Sequence, residues 1–154
     1  MSIITTSTPA ALAEIAQRNG GVLTPEAVVA AAADPASPLH ERFVWDDTEA
    51  ARRYRVLQAA ALIRAVVTVI PREDAEPVRV RAFVSLSTDR KTPDTVGTYR
   101  PITHVLADPT LAEIALRDAL AEMRAMRAKH GHLAALASVW EALDAVRAPS
   151  IAAA

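Results

Sequence analysis

The sequence contains no cysteine, and this absence removes several kinds of chemistry at once. Disulfide bonds, thiolate catalysis and cysteine-ligated zinc sites are all excluded. No apolar run is long enough to cross a membrane, and the N-terminus has neither the basic nor the apolar segment of a secretory signal. We therefore expect a soluble, cytoplasmic protein that makes no contact with a membrane.

The sequence also lacks an excess of charge of either sign. Lysine and arginine total 17, aspartate and glutamate total 18, and the formal net charge is −1. Strong sequence-independent binding to nucleic acid requires clustered positive charge, so this composition does not favour it. A local basic face on the folded protein is still compatible with the composition.

Aromatic residues are scarce at 4%, although 51% of the chain is hydrophobic and much of that fraction is alanine. Alanine favours helix and lets backbones approach closely, but each buried alanine contributes little transfer free energy. A length of 154 residues suits one domain, or a domain with an appended helical arm. We therefore expect closely packed helices and a core that a second subunit could complete.

Several helix starts are marked by a capping side chain followed by proline. These pairs are Thr8-Pro9, Thr24-Pro25, Ser37-Pro38 and Asp108-Pro109. The pattern predicts helices at 9–19, 25–33, 47–65 and 108–128, a short turn of helix at 38–43 and a last helix after Gly131. Asp46 or Asp47 is expected to cap the helix 47–65. The second half of that helix is apolar nearly all round, which is typical of a buried, central helix.

Between these helical regions the periodicity of the sequence changes. Residues 66–70 read as a strand, 71–77 as a charged connection, and 78–86 as a strand in which apolar residues alternate with others. This predicts an antiparallel hairpin with one buried face. Residues 88–98 are polar and contain Pro93 and Gly97, so they read as a loop. Tyr99 is expected to open a short third strand that Pro101 closes.

The predicted fold class is α+β and mainly helical. It consists of an N-terminal helical cluster similar to a helix-turn-helix, a small antiparallel hairpin or sheet, and a C-terminal helical pair. Residues 1–107 would hold the cluster and the hairpin. Residues 108–154 would form a helical arm packed on the same domain or on a second subunit.

The stretch from Asp34 to Arg55, with the helices on either side and the hairpin, resembles a helix-turn-helix with a wing. In that interpretation a set of polar side chains would contact DNA bases or phosphates. The set comprises Arg52, Arg53, Arg55, Gln58, Arg79, Arg81, Arg90 and Lys91. The alternative is that these arginines are solvated or ion-paired, and that Phe43 and Trp45 anchor a structural joint.

Residues suited to catalysis or metal binding do not form a recognisable group. His130 and His132 could join His104 or Glu141 around a metal, but nothing in the sequence makes three ligands converge. Asp46-Asp47 and His40-Glu41 stand without a nucleophile or a glycine-rich phosphate loop. We therefore predict no catalytic site, no metal and no cofactor, and a protein that is not an enzyme.

The two C-terminal helices carry apolar faces that could pair in either of two ways. Met123 and Met126 could face Leu136, Trp140 and Leu143 within one chain. The same faces could equally pair across a two-fold axis, because faces rich in alanine permit close approach in both cases. We expect a homodimer.

LTPEAVVAAAADPASPLHERFVWDD, with AARRYR and the later YRPITHVLADP, resembles small accessory proteins encoded by temperate phages and prophages. The resemblance covers residues 22–65 and 99–146. It implies a bacterial cytoplasm and a role in regulation, DNA handling or particle assembly, and it transfers no site residues. The leading hypothesis is a DNA-associated accessory or regulatory protein acting as a dimer. The alternative is a protein–protein adaptor or assembly component, bound to another phage or host protein, with no nucleic-acid contact.

Overall fold

The computed structural model describes residues 7–45, 48–90 and 97–146, and within them the chain is mainly helical with small antiparallel sheets. This confirms the predicted α+β fold class. The helices are α1 (Ser7–Arg18), α2 (Pro25–Ala32), α3 (Glu49–Ala65), α4 (Ile102–Ala107), α5 (Pro109–His130) and α6 (Ala137–Ala145). The strands are β1 (Val67–Arg72), β2 (Ala75–Arg81), β3 (Phe83–Val84) and β4 (Arg100–Pro101). The chain divides into two compact units, residues 1–104 and 105–154.

The structure tests the predicted caps of α1, α2 and α5. Thr24 accepts a hydrogen bond from the backbone N–H of Ala27, and Asp108 accepts from those of Thr110 and Leu111. Both residues are therefore caps, as predicted. Thr8 is not a cap, because α1 already begins at Ser7 and the Thr8 hydroxyl is buried.

The helix α3 is capped by Thr48, whose hydroxyl accepts from the N–H of Ala51 at 3.2 Å. The predicted caps Asp46 and Asp47 lie outside the described residues. The helix runs unbroken to Ala65, with Ala59 and Ile63 buried on one face. On the outer face Tyr54 and Leu57 are each 57% exposed, so the predicted all-round burial is wrong for that side.

The core of the first unit is built mainly from α1, α2 and α3. Alanines at the contacts let the helices approach closely, and larger apolar side chains fill the remaining space. The largest completely buried side chains of the core cluster include Leu12, Leu23, Val28, Leu39 and Ile63. Backbone pairing of Leu23 with Tyr99 ties the residue before β4 to the segment before α2.

The strands β1 and β2 form an antiparallel hairpin that turns at Glu73 and Asp74. The predicted strand 78–86 is interrupted at Ala82, after which β3 pairs with β4 in a second sheet. The predicted short strand after Tyr99 is confirmed as β4. The expected buried face of the hairpin is only half-buried, because Ile70 and Val80 are partly covered and Val78 is 39% exposed.

The second unit contains α5, a 3₁₀ turn at Ala134–Leu136 and α6. Leu120 of α5 packs with Trp140 and Leu143 of α6, and Leu136 lies against them. Arg127 donates to Asp144 at 2.7 Å across the same pair of helices. The predicted C-terminal helical pair is thus present within one chain. No helix among the described residues has the length and apolar character required to span a membrane.

Candidate interaction surfaces

Arg55 was predicted to contact nucleic acid, but the structure places it inside the joint that precedes α3. Only 6% of the residue is exposed. Its Nη1 donates to the carbonyl oxygen of Val44 at 2.8 Å, and its guanidinium carbon lies 5.2 Å from the centre of the Trp45 ring. This burial removes Arg55 from the set of surface contacts.

The remainder of the joint is ordered around His40 and Trp45. Their rings stack with centroids 5.0 Å apart, and Trp45 Nε1 donates to the His40 carbonyl oxygen at 3.0 Å. His40 Nδ1 lies 2.8 Å from the carbonyl oxygen of Ala32, and it must carry its proton to donate there. Phe43 is buried nearby in the core. The described residues of the Asp34–Arg55 stretch therefore form a folded joint, held by hydrogen bonds and ring stacking.

The joint also separates α2 from α3 by more than a helix-turn-helix allows. Residues 33–48 lie between the two helices, whereas a helix-turn-helix joins its helices by a turn of about three or four residues. The helices do pack on each other. They lack the short connection that sets the recognition helix at its usual angle, so the helix-turn-helix geometry is not reproduced.

The other predicted contacts on α3 have different surroundings. Arg52 is exposed, and so is Arg53, whose Nε lies 3.3 Å from Glu49 Oε1. Gln58 is half-buried, and its Oε1 has no hydrogen-bond partner among the described residues. An exposed ion pair one turn apart contributes little, so Arg53 is still accessible to solvent and to a partner.

The hairpin brings two predicted arginines together on one face. Arg79 pairs opposite Val69 and Arg81 opposite Val67, and directly paired residues project from the same side of a sheet. All four residues are exposed. The turn at the other end carries Glu73 and Asp74, followed by Glu76. The hairpin is therefore basic at its base and acidic at its tip.

The last two predicted contacts lie beyond the hairpin. Arg90 donates to the carbonyl oxygen of Ser85 at 3.0 Å but is otherwise exposed. Lys91 lies outside the described residues, as does much of the predicted loop 88–98. Arg100 forms a bidentate pair with Asp89, with Nε–Oδ2 and Nη2–Oδ1 distances of 2.8 and 2.7 Å. This pair fixes the segment on which Arg90 stands.

An apolar stripe runs along α5 in the second unit. It comprises Ala112, Leu116, Ala119, Met123 and Met126, which recur at three- and four-residue intervals and so share one side of the helix. Met126 is 56% exposed, Leu116 44% and Met123 38%. One of the two pairings considered from the sequence placed the methionines against Leu136, Trp140 and Leu143 of the same chain, but Leu120 makes that contact. We call this set the α5 stripe.

Sequence reasoning identified the residues of the α5 stripe but not their exposure. The signal available was that the apolar face of α5 is wider than one short partner helix can cover. Leu120 lies at the edge of that face, and α6 covers only that edge.

Among the described residues no three histidine, aspartate or glutamate side chains form a group that could hold a metal ion. Comparison with known protein families, curated proteins and solved structures finds no match.

Proposed function

We propose that the protein is a non-enzymatic assembly component of the cytoplasm that acts through protein–protein contacts, and that it forms a homodimer through the α5 stripe. The observation that carries the proposal is the exposure of Leu116, Met123 and Met126 on one side of α5. Outside the α5 stripe the exposed residues of the helix are charged residues, alanines, a proline and a threonine, so its large exposed apolar side chains are concentrated in the stripe. A concentrated apolar face at the surface is typical of an interface.

The order of residues in the α5 stripe favours a second copy as the occupant. When two α5 helices pack antiparallel about a two-fold axis at Ala119, Ala112 of each copy meets Met126 of the other. Leu116 of each copy then meets Met123. The largest side chains therefore face the smallest at the ends, and two helices can approach closely at the centre.

The small core of the second unit gives a reason for this contact. Its α5–α6 core cluster contains Leu120, Trp140 and Leu143, with Leu136 packed against them. Units of this size bury a small fraction of their apolar surface by themselves and commonly gain stability from association. Each stripe side chain that leaves water contributes on the order of 1 kcal/mol.

Substitution of Met126 by glutamate tests the proposal. Met126→Glu places a charge inside the α5 contact, so we expect a lower mass than that of the natural chain in sedimentation equilibrium. Ala125→Glu is the matched control, because Ala125 is exposed on the same helix and points about 100° away from Met126. A natural chain that is monomeric at high concentration, or equal masses for the two variants, would contradict the proposal.

DNA association is a second candidate, and the exposure of Arg52, Arg79 and Arg81 favours it. A two-stranded ribbon fits the major groove, and arginines at alternate positions could contact phosphates. The acidic tip of the hairpin opposes this role, since phosphates would repel it. A gel-shift titration at two salt concentrations decides between the candidates. Binding that weakens with salt and is lost in the Arg79→Ala, Arg81→Ala double variant would support DNA association.

The resemblance to accessory proteins of temperate phages is consistent with either candidate. Particle assembly requires proteins that contact one another, and DNA handling requires a basic surface. The partner of the assembly candidate would be a second copy together with another phage or host protein. We favour assembly because Arg55, one of the three predicted arginine contacts on α3, is buried.

A further inference from the structure

The outer edge of β1 is an unpaired strand edge in the part of the chain that the structure describes. Ala82 donates its N–H to the carbonyl oxygen of Val66, and hydrogen-bonded pairs alternate along an antiparallel ladder. The pairs Thr68–Val80 and Ile70–Val78 are therefore hydrogen-bonded within the hairpin. The N–H and C=O groups of Val67 and Val69 consequently point outward from β1, and no described strand receives them.

The two edges of the hairpin are protected to different degrees. On β2 the outward groups belong to Arg79 and Arg81, and Pro77 has no N–H to offer. Charged residues and proline are the usual means by which proteins block a strand edge. On β1 the outward groups belong to Val67 and Val69, which are 46% and 54% exposed. The β1 edge is thus uncharged over the length where its backbone is free.

The sequence Val67-Thr68-Val69 reads the same in both directions, and this makes the β1 edge complementary to itself. In an antiparallel pair of two β1 strands, Val67 of each copy lies opposite Val69 of the other. Thr68 then lies opposite Thr68. The four outward N–H groups and the four outward C=O groups of the two valine pairs satisfy one another. Valine–valine and threonine–threonine pairs both stabilise neighbouring strands.

We propose that β1 pairs with β1 of a second copy to form a continuous four-stranded sheet in the order β2–β1–β1–β2. The exposed valines meet at the centre of this sheet, and Arg79 and Arg81 stand on the outer strands, where like charges are kept apart. Pairing through β2 would instead bring the arginines of two copies together. A two-stranded hairpin is marginally stable in water, and a sheet of four strands is not subject to that limit.

This contact is separate from the α5 dimer, and it extends the proposed function by giving each chain a second self-association surface. Two different two-fold contacts on one chain link copies into assemblies larger than a dimer. The pairing therefore supplies the second connection that an assembly component requires. An experiment on this contact must detect β1 pairing whether or not the α5 helices also pair.

Single cysteines provide that test, because the natural chain contains none. Thr68–Thr68 is a non-hydrogen-bonded pair with a Cα separation of about 4.5 Å, which is within disulfide range. Residues at position 67 in the two copies are two places out of register, beyond easy reach. We expect Thr68→Cys to form disulfide-linked dimers at least about tenfold faster than Val67→Cys under the same mild oxidant.

Exposure alone would give the opposite order of cross-linking rates, because Val67 is more exposed than Thr68. Random collision would therefore favour Val67→Cys, and only pairing in register favours Thr68→Cys. Adding Val69→Lys to the Thr68→Cys variant should slow its cross-linking to the rate of Val67→Cys, since a lysine on a strand edge disfavours pairing with a second strand. Equal rates for the two cysteines, or faster cross-linking at position 67, would overturn the proposal even if α5 dimers form.

Discussion

Arg55 shows how strongly burial decides what a charged residue does. Three arginines stand within four positions of α3, and their chemistry is the same. Arg55 alone points inward, donates to the Val44 carbonyl and lies against the Trp45 ring. Arg53 is exposed beside Glu49. The first is therefore part of the folded framework and the second is part of the surface.

The two arginines should differ in their effect on stability. Arg55→Ala removes a charge-assisted hydrogen bond and the stacked contact with Trp45, so we expect a loss of about 1–3 kcal/mol in the free energy of unfolding. Arg53→Ala should change that free energy by less than about 0.5 kcal/mol, because exposed ion pairs contribute little. Urea unfolding followed by circular dichroism measures both, and equal losses would show that Arg55 has no structural role.

The sequence was enough to predict the joint, but not to predict which arginine is buried and which is exposed. Phe43 and Trp45 are large apolar side chains in a polar stretch, and that contrast predicted an anchor. Which arginine turns inward depends on the helical phase of α3 relative to the joint. Thr48, the residue that caps α3, sets that phase. The sequence instead predicted Asp46 or Asp47 as the cap.

At the scale of whole elements, the starts of helices were the feature most readily predicted from the sequence. Thr24 and Asp108 each precede proline and both cap their helices, because proline supplies the backbone angle and the side chain supplies the acceptor. Thr8-Pro9 has the same sequence signature. Its hydroxyl is buried with no hydrogen-bond partner among the described residues, since the helix begins one residue earlier.

Substitution of the two threonines by valine separates these cases. Thr24→Val loses the bond to Ala27, so we expect a cost of about 1 kcal/mol or slightly more. Thr8→Val replaces a buried, unpartnered hydroxyl with a methyl group of the same shape. We expect it to be neutral or stabilising by up to about 1 kcal/mol. Thermal and urea unfolding of both variants check the difference, and a larger loss for Thr8→Val would reverse the assignment.

The strands were harder to read than the helices. Residues 78–81 alternate regularly, but Ala82, Phe83 and Val84 are three apolar residues in a row. That run does not by itself show that the chain changes partner at Ala82. The alternation also predicted a buried face. A period of two indicates two different faces, but it does not show that anything packs on the apolar one. Val78 is 39% exposed, and Ile70 and Val80 are only half-buried, for that reason.

At the scale of the molecule, the two proposed self-association surfaces predict a particular pattern of masses. The natural chain should form species larger than a dimer as its concentration rises, because the α5 stripe and the β1 edge engage separate copies. Met126→Glu and Val69→Lys should each stop growth at the dimer. The variant with both changes should be monomeric.

Analytical ultracentrifugation over a range of concentrations measures these masses directly. Ala125→Glu and Glu76→Lys are the matched controls, since each changes charge at an exposed position beside one of the two surfaces. A double variant that still forms dimers would require a third surface. The composition predicted closely packed helices and a core that a second subunit could complete. It could not locate the contact surface, because that location depends on which side of α5 the helix α6 covers.

The distribution of tryptophan has a practical consequence for studying this chain. Trp45 stands in the first unit, beside a guanidinium and partly open to solvent, whereas Trp140 is enclosed in the second. Their indoles should therefore emit at different ultraviolet wavelengths. Replacing either one by phenylalanine leaves an intrinsic fluorophore in one unit alone, so the melting of residues 1–104 and of 105–154 can be followed separately without attaching a dye.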